Sequence, residues 1–558
     1  MRETQGTHHP NLLQGLLQQL SVAMKAEKRI MSLIFSYALA VAFFSLIIPL
    51  TVQELVSTFS YSVQPVMIWT LTSIMFLVLL FVGMFKAFHF YAVDVIQRRI
   101  FARVAVAMVE QMPRYQVQGY RVEMANRFIE TIFMQRALST LLIDLINVVV
   151  GGAVGMTMLV IYHPYFLLYN LMLMGGFAIT FFVLSRGAVK TTLDMSRAKY
   201  DMFHWIQEIS RNVLQLKATD SQPYLLQKTN DLVNRYTDTR KARFAVLIRQ
   251  YVGSVSGQAL AQAGALALAG SLLSQGQLTL GQLVAVEVVV GALVISFDSL
   301  IKNMGHVYYF FVSLTELDAF FSHPQDQVPA SSTVTLPSPR GQGIRVTCKN
   351  VGLVHDGYSV FDNFNLEVAP GEKLGIYAKT AVAKLSLARV LGGLEAPTNG
   401  VVQYNGVDLR YLDPDAINQC RSVVIDSQLT LLQGTIEDNI VVGRSYVNYD
   451  DVAWALRFAE LEEEIEALPR GIKSDIRELG EVLPSSKVVQ ILLARAVLGH
   501  PQVLVFDGLI HSLDPTMRET ILRRLCSKDE TWSVIFVSTD PNLTAHADRR
   551  IMLHHTHA

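Results

Sequence analysis

Apolar positions are distributed differently in the two parts of this 558-residue chain. In the first part they form long unbroken runs. In the second they form short runs set off by polar turns. Six of the long runs reach the roughly 20 residues that a helix needs to cross a bilayer. They lie near 30–52, 65–88, 138–162, 165–184, 251–273 and 280–301. Ahead of them, 11–26 puts Leu12, Leu13, Leu16, Leu17 and Leu20 on one side of a helix. That pattern fits an amphipathic helix lying on the membrane or a helix packed in soluble structure.

The links between the runs carry the topology. Those after the first, third and fifth runs are short and hold no Lys or Arg. Those at 89–137 and 185–250 are long and basic, with Arg98, Arg99, Arg103, Arg114 and Arg121 in one and Arg186, Lys190, Arg211, Lys217 and Arg243 in the other. The positive-inside bias puts both long links, the N-terminus and the C-terminal part in the cytosol. Both links keep a helical period while turning polar, so the membrane helices are expected to continue as a cytosolic stalk.

A stretch rich in Ser, Pro and Gln at 322–343 has no periodicity and reads as a linker. Beyond it, β-rich runs at 344–351, 373–377, 422–426, 503–507 and 533–538 alternate with helical segments. This is the pattern of an α/β domain with a largely parallel sheet. The expected layout is an N-terminal segment (1–29), an α-helical six-span membrane domain with cytosolic extensions (30–321), the linker, and an α/β P-loop-type nucleotide-binding domain (344–558).

Composition changes this picture little. With 51% hydrophobic residues and a positive mean hydropathy the chain is not one soluble domain. Zero formal net charge gives no field that would favour nucleic acid. Cys348, Cys420 and Cys526 have no metal-ligand spacing and fit buried thiols in a reducing compartment. The terminal His554, His555 and His557 read as a frayed tail, and no metal site is expected.

Candidate chemistry centres on Ala378-Lys379-Thr380-Ala381-Val382-Ala383-Lys384-Leu385-Ser386. Lys384 stands where a phosphate-binding loop has its lysine. Such a loop curls its N–H groups around phosphate, partly at positive φ, and needs glycine to do so. Ala378, Ala381 and Ala383 occupy those three places. Leu385 replaces the hydroxyl that would hold Mg²⁺, and Ser386 comes one residue late. Lys384 is read either as a residual phosphate partner or as an ordinary lysine near a helix start. Further on, Val503-Leu504-Val505-Phe506-Asp507 reads as a Walker B strand, with Gly508 where a catalytic carboxylate would follow.

Gly371-Glu372-Lys373, Gly406-Val407-Asp408-Leu409, Gly434-Thr435-Ile436-Glu437-Asp438-Asn439-Ile440, Leu493-Ala494-Arg495-Ala496 and Ser512-Leu513-Asp514 follow in order. On these motifs and the six-span layout the chain resembles the half-transporters of ATP-binding cassette (ABC) exporters of the type I exporter fold. The membrane half is most similar to the bacterial branch related to type I secretion, without that branch's N-terminal cysteine-peptidase domain. The resemblance implies a bacterial inner (plasma) membrane location, an obligatory dimer and an ATP/Mg²⁺ site. It places the adenine-stacking aromatic at His355, the Q-loop glutamine at Ser427 beside Gln428, the general base at Gly508 and the switch histidine at Thr539. The family signature falls on Leu483-Pro484-Ser485-Ser486-Lys487, with four of its five residues changed. Asp507, the D-loop Asp514 and Glu478 are retained. Segments around Tyr115 and Arg121, and around Arg211 and Lys217, fall where the family places helices that dock on the cassettes; solvated stalk surface is the plainer reading.

No residue is left in a catalytic role. Losing a general base alone removes about 10²–10⁴ in rate, so the chain is expected to have no ATPase activity of its own and weak or absent ATP binding. One reading is an inactive exporter subunit driven by an intact ABC half-transporter. The other is a non-hydrolysing membrane scaffold that pairs with itself or with an envelope adaptor. In the membrane half, Glu287 is read as a cargo- or proton-coupling group or as a polar contact between helices, and Asp298 and Lys302 as an i,i+4 pair. Gly151, Gly155, Gly253, Gly257 and Ala261 are read as close helix–helix contacts.

Overall fold

Apolar runs this long fold as helices because a bilayer offers no partner for backbone N–H and C=O groups. The structure, a computed structural model, describes residues 27–61, 65–116, 122–325, 342–355, 357–425, 430–479, 483–508 and 512–553. The amphipathic helix expected at 11–26, most of the linker, Arg121, Ser427, Gln428 and the tail histidines lie outside these residues, as does the side chain of Glu478. The chain divides into two compact units, with the break after Pro324.

The first unit is helical: α1 (Lys28–Ser45), α2 (Ile47–Tyr61), α3 (Pro65–Gln111), α4 (Glu130–Ser139), α5 (Ile146–Tyr162), α6 (Tyr165–Ala178), α7 (Ala188–Arg211), α8 (Val213–Lys217), α9 (Gln222–Ser274) and α10 (Leu280–Phe321). The long helices continue past the apolar runs: α3, α9 and α10 run 47, 53 and 42 residues without a break. Among the described residues, five helical stretches are long and apolar enough to span a membrane: Lys28–Phe59, Pro65–Arg114, Asn126–Tyr162, Tyr165–Arg211 and Leu280–Phe321. The stretch expected as a fifth span, 251–273, is one continuous helix within α9 but falls short of the others in apolarity. Gln258 and Gln262 dilute it. Gln258 Nε2 donates to Ser254 Oγ on its own helix and to Asp298 Oδ1 on α10, both at 3.2 Å.

Polar groups inside this unit are tied across helices. Glu130, wholly buried, accepts from Lys199 Nζ at 3.1 Å, Tyr200 Oη at 2.5 Å and Ser313 Oγ at 2.7 Å, joining α4, α7 and α10. Arg99 and Arg103, one turn apart on α3, both donate to Glu27 at the start of α1, at 2.7 and 2.6 Å. Asp298 and Lys302 pair at 2.6 Å, as their spacing predicts. Two helical turns are wider than an α-turn, Thr140–Leu145 and Ile179–Val183. In the first, the Leu142 carbonyl accepts from His89 Nε2 at 3.0 Å. Beside the second, Arg249 donates to the carbonyls of Leu184 and Arg186.

The small-residue reading divides. A methyl group at Gly155 would press on Leu293 and Val289 at 3.2 and 3.3 Å, and one at Gly253 would collide with Leu184, so both are close contacts. Ala261 is buried, and its carbonyl accepts from Tyr169 Oη at 2.8 Å. Gly151 and Gly257 face nothing within 4 Å among the described residues, although each lies one turn from a packed glycine on the same helix face.

In the second unit an antiparallel sheet, ordered β2-β1-β4-β5, is built from β1 (Val346–His355), β2 (Tyr358–Val368), β4 (Asn399–Tyr404) and β5 (Val407–Asp408). A parallel sheet, ordered β6-β7-β8-β3-β9, comprises β3 (Lys373–Tyr377), β6 (Arg421–Ile425), β7 (Val503–Asp507), β8 (Ser533–Ser538) and β9 (Arg549–Met552). The strands of β7 and β8 are buried along their whole length, which explains their continuous apolar runs. Helices α11 (Ala381–Leu391), α12 (Pro414–Cys420), α13 (Ile436–Val441), α14 (Tyr449–Phe458), α15 (Glu462–Glu466), α16 (Ser485–Val497) and α17 (Pro515–Leu525) complete the unit.

Val442 ends α13 at φ 48°, a left-handed conformation that a β-branched residue adopts only under strain. Val442→Gly is therefore expected to stabilise this unit by about 0.5–1 kcal/mol, seen as a higher melting temperature. An unchanged or lower value would show that the valine's contacts outweigh its backbone.

Candidate functional site

The parallel sheet determines where the candidate residues meet. β7, β8 and β3 are neighbours, with Asp507 opposite Val537 and Tyr377 opposite Ser538. Their carboxyl ends thus place Gly508, Thr539 and Ala378 side by side, on the edge where open α/β sheets bind ligands. Ala378 is buried and its N–H donates to the Ser538 carbonyl at 2.9 Å.

Alanine reshapes the loop that follows. Thr380 takes extended backbone angles and caps α11, its hydroxyl accepting from Ala383 N–H at 3.2 Å. None of the residues from Ala378 to Ser386 has a positive φ. An amide at the place where phosphate-binding loops offer donors is thus bonded within the loop. Ala381 is exposed, Ala383 and Ser386 are buried in α11, and Leu385 is half-buried. Lys384, in the first turn of α11, reaches across to β7, where its Nζ lies 2.8 Å from Asp507 Oδ1. Both side chains are largely shielded from water, at 13% and 1% exposure.

Gly508 follows Asp507 at φ 66°. A glutamate there would need the left-handed conformation, at a cost of roughly 1–2 kcal/mol. Thr539 is exposed, and His355 is exposed at the tip of the β1–β2 hairpin, opposite Tyr358. Asp514 is the N-cap of α17, accepting from Thr516 N at 3.1 Å and Met517 N at 3.0 Å. The Leu483-Pro484-Ser485-Ser486-Lys487 stretch opens α16: Pro484 and Ser485 are exposed, and Lys487 pairs with Glu464 of α15.

In the helical unit, Tyr115 is buried and its hydroxyl donates to the Phe320 carbonyl at 2.9 Å. Arg211 and Lys217 are exposed at the ends of α7 and α8, and Leu214 between them is 82% exposed. Glu478 lies in a short turn, Ile476–Leu479. Thr380 and Glu464 are the contributors that sequence reasoning missed. A threonine three residues before Ala383 is a capping signal; nothing in the sequence marks Glu464 as the partner of Lys487.

Several carboxylates of this unit are held below their ordinary range. The Arg477 guanidinium holds Asp475 at about 2, the Thr516 hydroxyl lowers Asp514, and the Thr435 N–H lowers Asp438. Such groups bind fewer protons folded than unfolded. Their contribution is therefore whole above pH about 4 and is lost as pH falls towards 2. Circular dichroism of the unit is expected to stay flat from pH 7 to about 4 and to decline below it; a decline beginning near pH 6 would contradict this assignment.

The architecture has close counterparts. A bacterial Atm1-family ABC exporter with ATP bound superposes over 94% of this chain and 93% of its own, with a TM-score of 0.82 and 18% identity. This is the fold of an ABC exporter. Among sequence relatives, the alpha-hemolysin translocation ATP-binding protein HlyB of Escherichia coli is 27% identical over 288 residues, 51% of this chain. The leukotoxin translocation ATP-binding protein LktB of Mannheimia glucosida is 26% identical over 288 residues. The matched region spans 40% of the length of each of these relatives. No protein-family profile matches the chain. The homologues are thus ABC exporters, and with its apolar helices the chain is a multi-pass membrane protein.

Proposed function

We propose that this chain is a non-hydrolysing subunit of an ABC-exporter-type complex in the bacterial inner membrane, contributing half of a translocation path that a partner drives. Its N-terminus and cassette lie in the cytosol. The observation that carries this reading is Gly508, at φ 66° directly after Asp507, where a general base would have to stand. Without that carboxylate the position that would take the proton of an attacking water has no side chain to do so. Leu385 removes the Mg²⁺ hydroxyl, and Lys384 is held against Asp507. Any nucleotide bound at His355 and Lys384 would be held weakly and left unhydrolysed. The exposed tip of Leu214 between Arg211 and Lys217 is the surface best placed to carry motion between subunits. The test is native mass spectrometry of the complex captured on this chain, with ATPase assay of the same sample. A one-to-one complex with an intact ABC half-transporter, whose turnover survives Asp507→Asn in this chain, supports the reading. Purification of this chain alone with ATPase activity overturns it.

A second reading rests on Lys487. Pinned to Glu464 at the signature position, it leaves a poor surface for completing a partner's ATP site. That favours a scaffold, in which the fold holds an envelope adaptor or a second copy. Capture of such partners in place of a half-transporter would select it.

A further inference from the structure

Helices α4 and α10 run antiparallel and meet in a regular ladder. Arg127, just ahead of α4, pairs with Glu316 at 3.4 Å, and Glu130 accepts from Ser313 Oγ at 2.7 Å. One step further, the rings of Phe133 and Tyr309 stack at 5.6 Å. Each step is one helical turn, forward on α4 and back along α10. The next step sets Arg136 opposite His306. Both are exposed, and His306 is within electrostatic reach of Arg136.

A third basic group closes on the same step. The Arg243 guanidinium of α9 lies 4.8 Å from the Tyr309 ring. Its Nε donates to Thr192 Oγ1 of α7 and its Nη2 to the carbonyl of Gly305, the neighbour of His306, both at 3.3 Å. A methyl group at Gly305 would stand 2.8 Å from that Nη2, so the glycine leaves the guanidinium its room. His306 is within electrostatic reach of Arg243 as well.

This step differs from its neighbours in lacking an acid. Glu316 has Arg127 and Glu130 has Lys199; towards the membrane, Asp144 accepts from Asn303 Nδ2 at 3.1 Å and Asp298 has Lys302. Among the described residues no carboxylate pairs with Arg136 or Arg243, and the ionised group within electrostatic reach of Arg243 is another cation, Arg240. Half-buried Arg243 thus has neutral acceptors only, and its Nη1 donors are unspent. Like charges gathered in this way are costly without a counter-charge. Three donors arriving from three helices suit a tetrahedral oxyanion better than a planar carboxylate, which one guanidinium already saturates. The apolar runs of these helices begin at 138 and end at 301, so Arg136 and His306 stand about 3 and 8 Å outside them. That is the level of headgroups and water.

We propose that Arg136, His306 and Arg243 form a binding site for a phosphate monoester, carried by a lipid headgroup or by a water-soluble molecule. The two guanidiniums supply the counter-charge and the imidazole a further donor. The site belongs to the helical unit alone and is independent of the state of the cassette.

The test uses the full chain in phosphatidylcholine nanodiscs and has two arms. Native mass spectrometry compares retention of added phosphatidic acid with that of the matching diacylglycerol. Calorimetry compares glycerol 3-phosphate with glycerol. Saturable binding of the phosphate-bearing member is expected in at least one arm. The first arm alone would assign the site to a headgroup, the second to a soluble molecule. Affinity should fall about tenfold or more in Arg136→Gln and in Arg243→Gln, fall less in Arg243→Lys, and hold in Arg98→Gln, an equal loss of charge on α3. Thermal unfolding of each variant checks the fold, and exposed Arg136 keeps the test open if Arg243→Gln does not fold. No preference for the phosphate-bearing probe in either arm, or undiminished binding by a folded Arg136→Gln, overturns the site. Absence of a partner half-transporter would count against the proposed complex and leave this result untouched.

Discussion

Glu130→Leu is expected to destabilise the helical unit by about 4 kcal/mol, the largest loss among single changes there. The carboxylate is wholly buried and receives Lys199, Tyr200 and Ser313 together. Leucine fills the volume but strands an ammonium and two hydroxyls that folding removed from water. Lys199 also lies 4.5 Å from the Phe133 ring and 4.6 Å from the Tyr200 ring, a setting that suits a cation held in place. Thermal unfolding of the detergent-solubilised chain reads the effect. Adding Lys199→Met should recover part of it, since the stranded charge goes too. A loss below about 1 kcal/mol would mean that water or lipid headgroups take over the role of Glu130.

The second large effect is in the cassette. Asp507→Ala leaves Lys384 facing β7 without its anion, 87% removed from water, and is expected to cost about 3 kcal/mol. Lys384→Met should cost less, because an apolar side chain of similar length can occupy the same space. The double variant should be more stable than Asp507→Ala alone. On the proposed non-hydrolysing reading, its effect is expected in the melting temperature of the cassette rather than in turnover. If Asp507→Ala leaves stability unchanged but alters nucleotide binding, the pair serves a ligand rather than the fold.

The fold was legible wherever one physical demand dominates the sequence. Unbroken apolar runs have only helices open to them in a bilayer, and α3, α9 and α10 continue past those runs because their polar extensions keep the same period. The fully buried β7 and β8 were legible for the same reason. The 251–273 stretch was read as a span like the rest because its polar residues are few, but Gln258 and Gln262 leave it less apolar than the others; what the sequence could not show is that Gln258 bonds across to Asp298. Among the small residues the motif could not tell Gly155, packed on Leu293, from Gly151, which faces nothing nearby.

At the candidate site the sequence marked which residues had changed but not what replaced their contacts. Ala378, Ala381, Ala383 and Gly508 were read as losses. The cap from Thr380 to Ala383 is a local gain that capping rules could have found. The Lys384–Asp507 and Lys487–Glu464 pairs join residues far apart in the chain and depend on how the sheet and helices are stacked.

The three longest helices have a mechanical consequence. At 1.5 Å per residue, α3, α9 and α10 are rods of about 70, 80 and 63 Å, and an unbroken rod transmits a push at one end as a swing at the other. Compliance must then concentrate where the hydrogen-bond ladder is already out of register, at Thr140–Leu145 and Ile179–Val183. The third and fourth membrane helices are the joints of this unit, and the long helices are its levers.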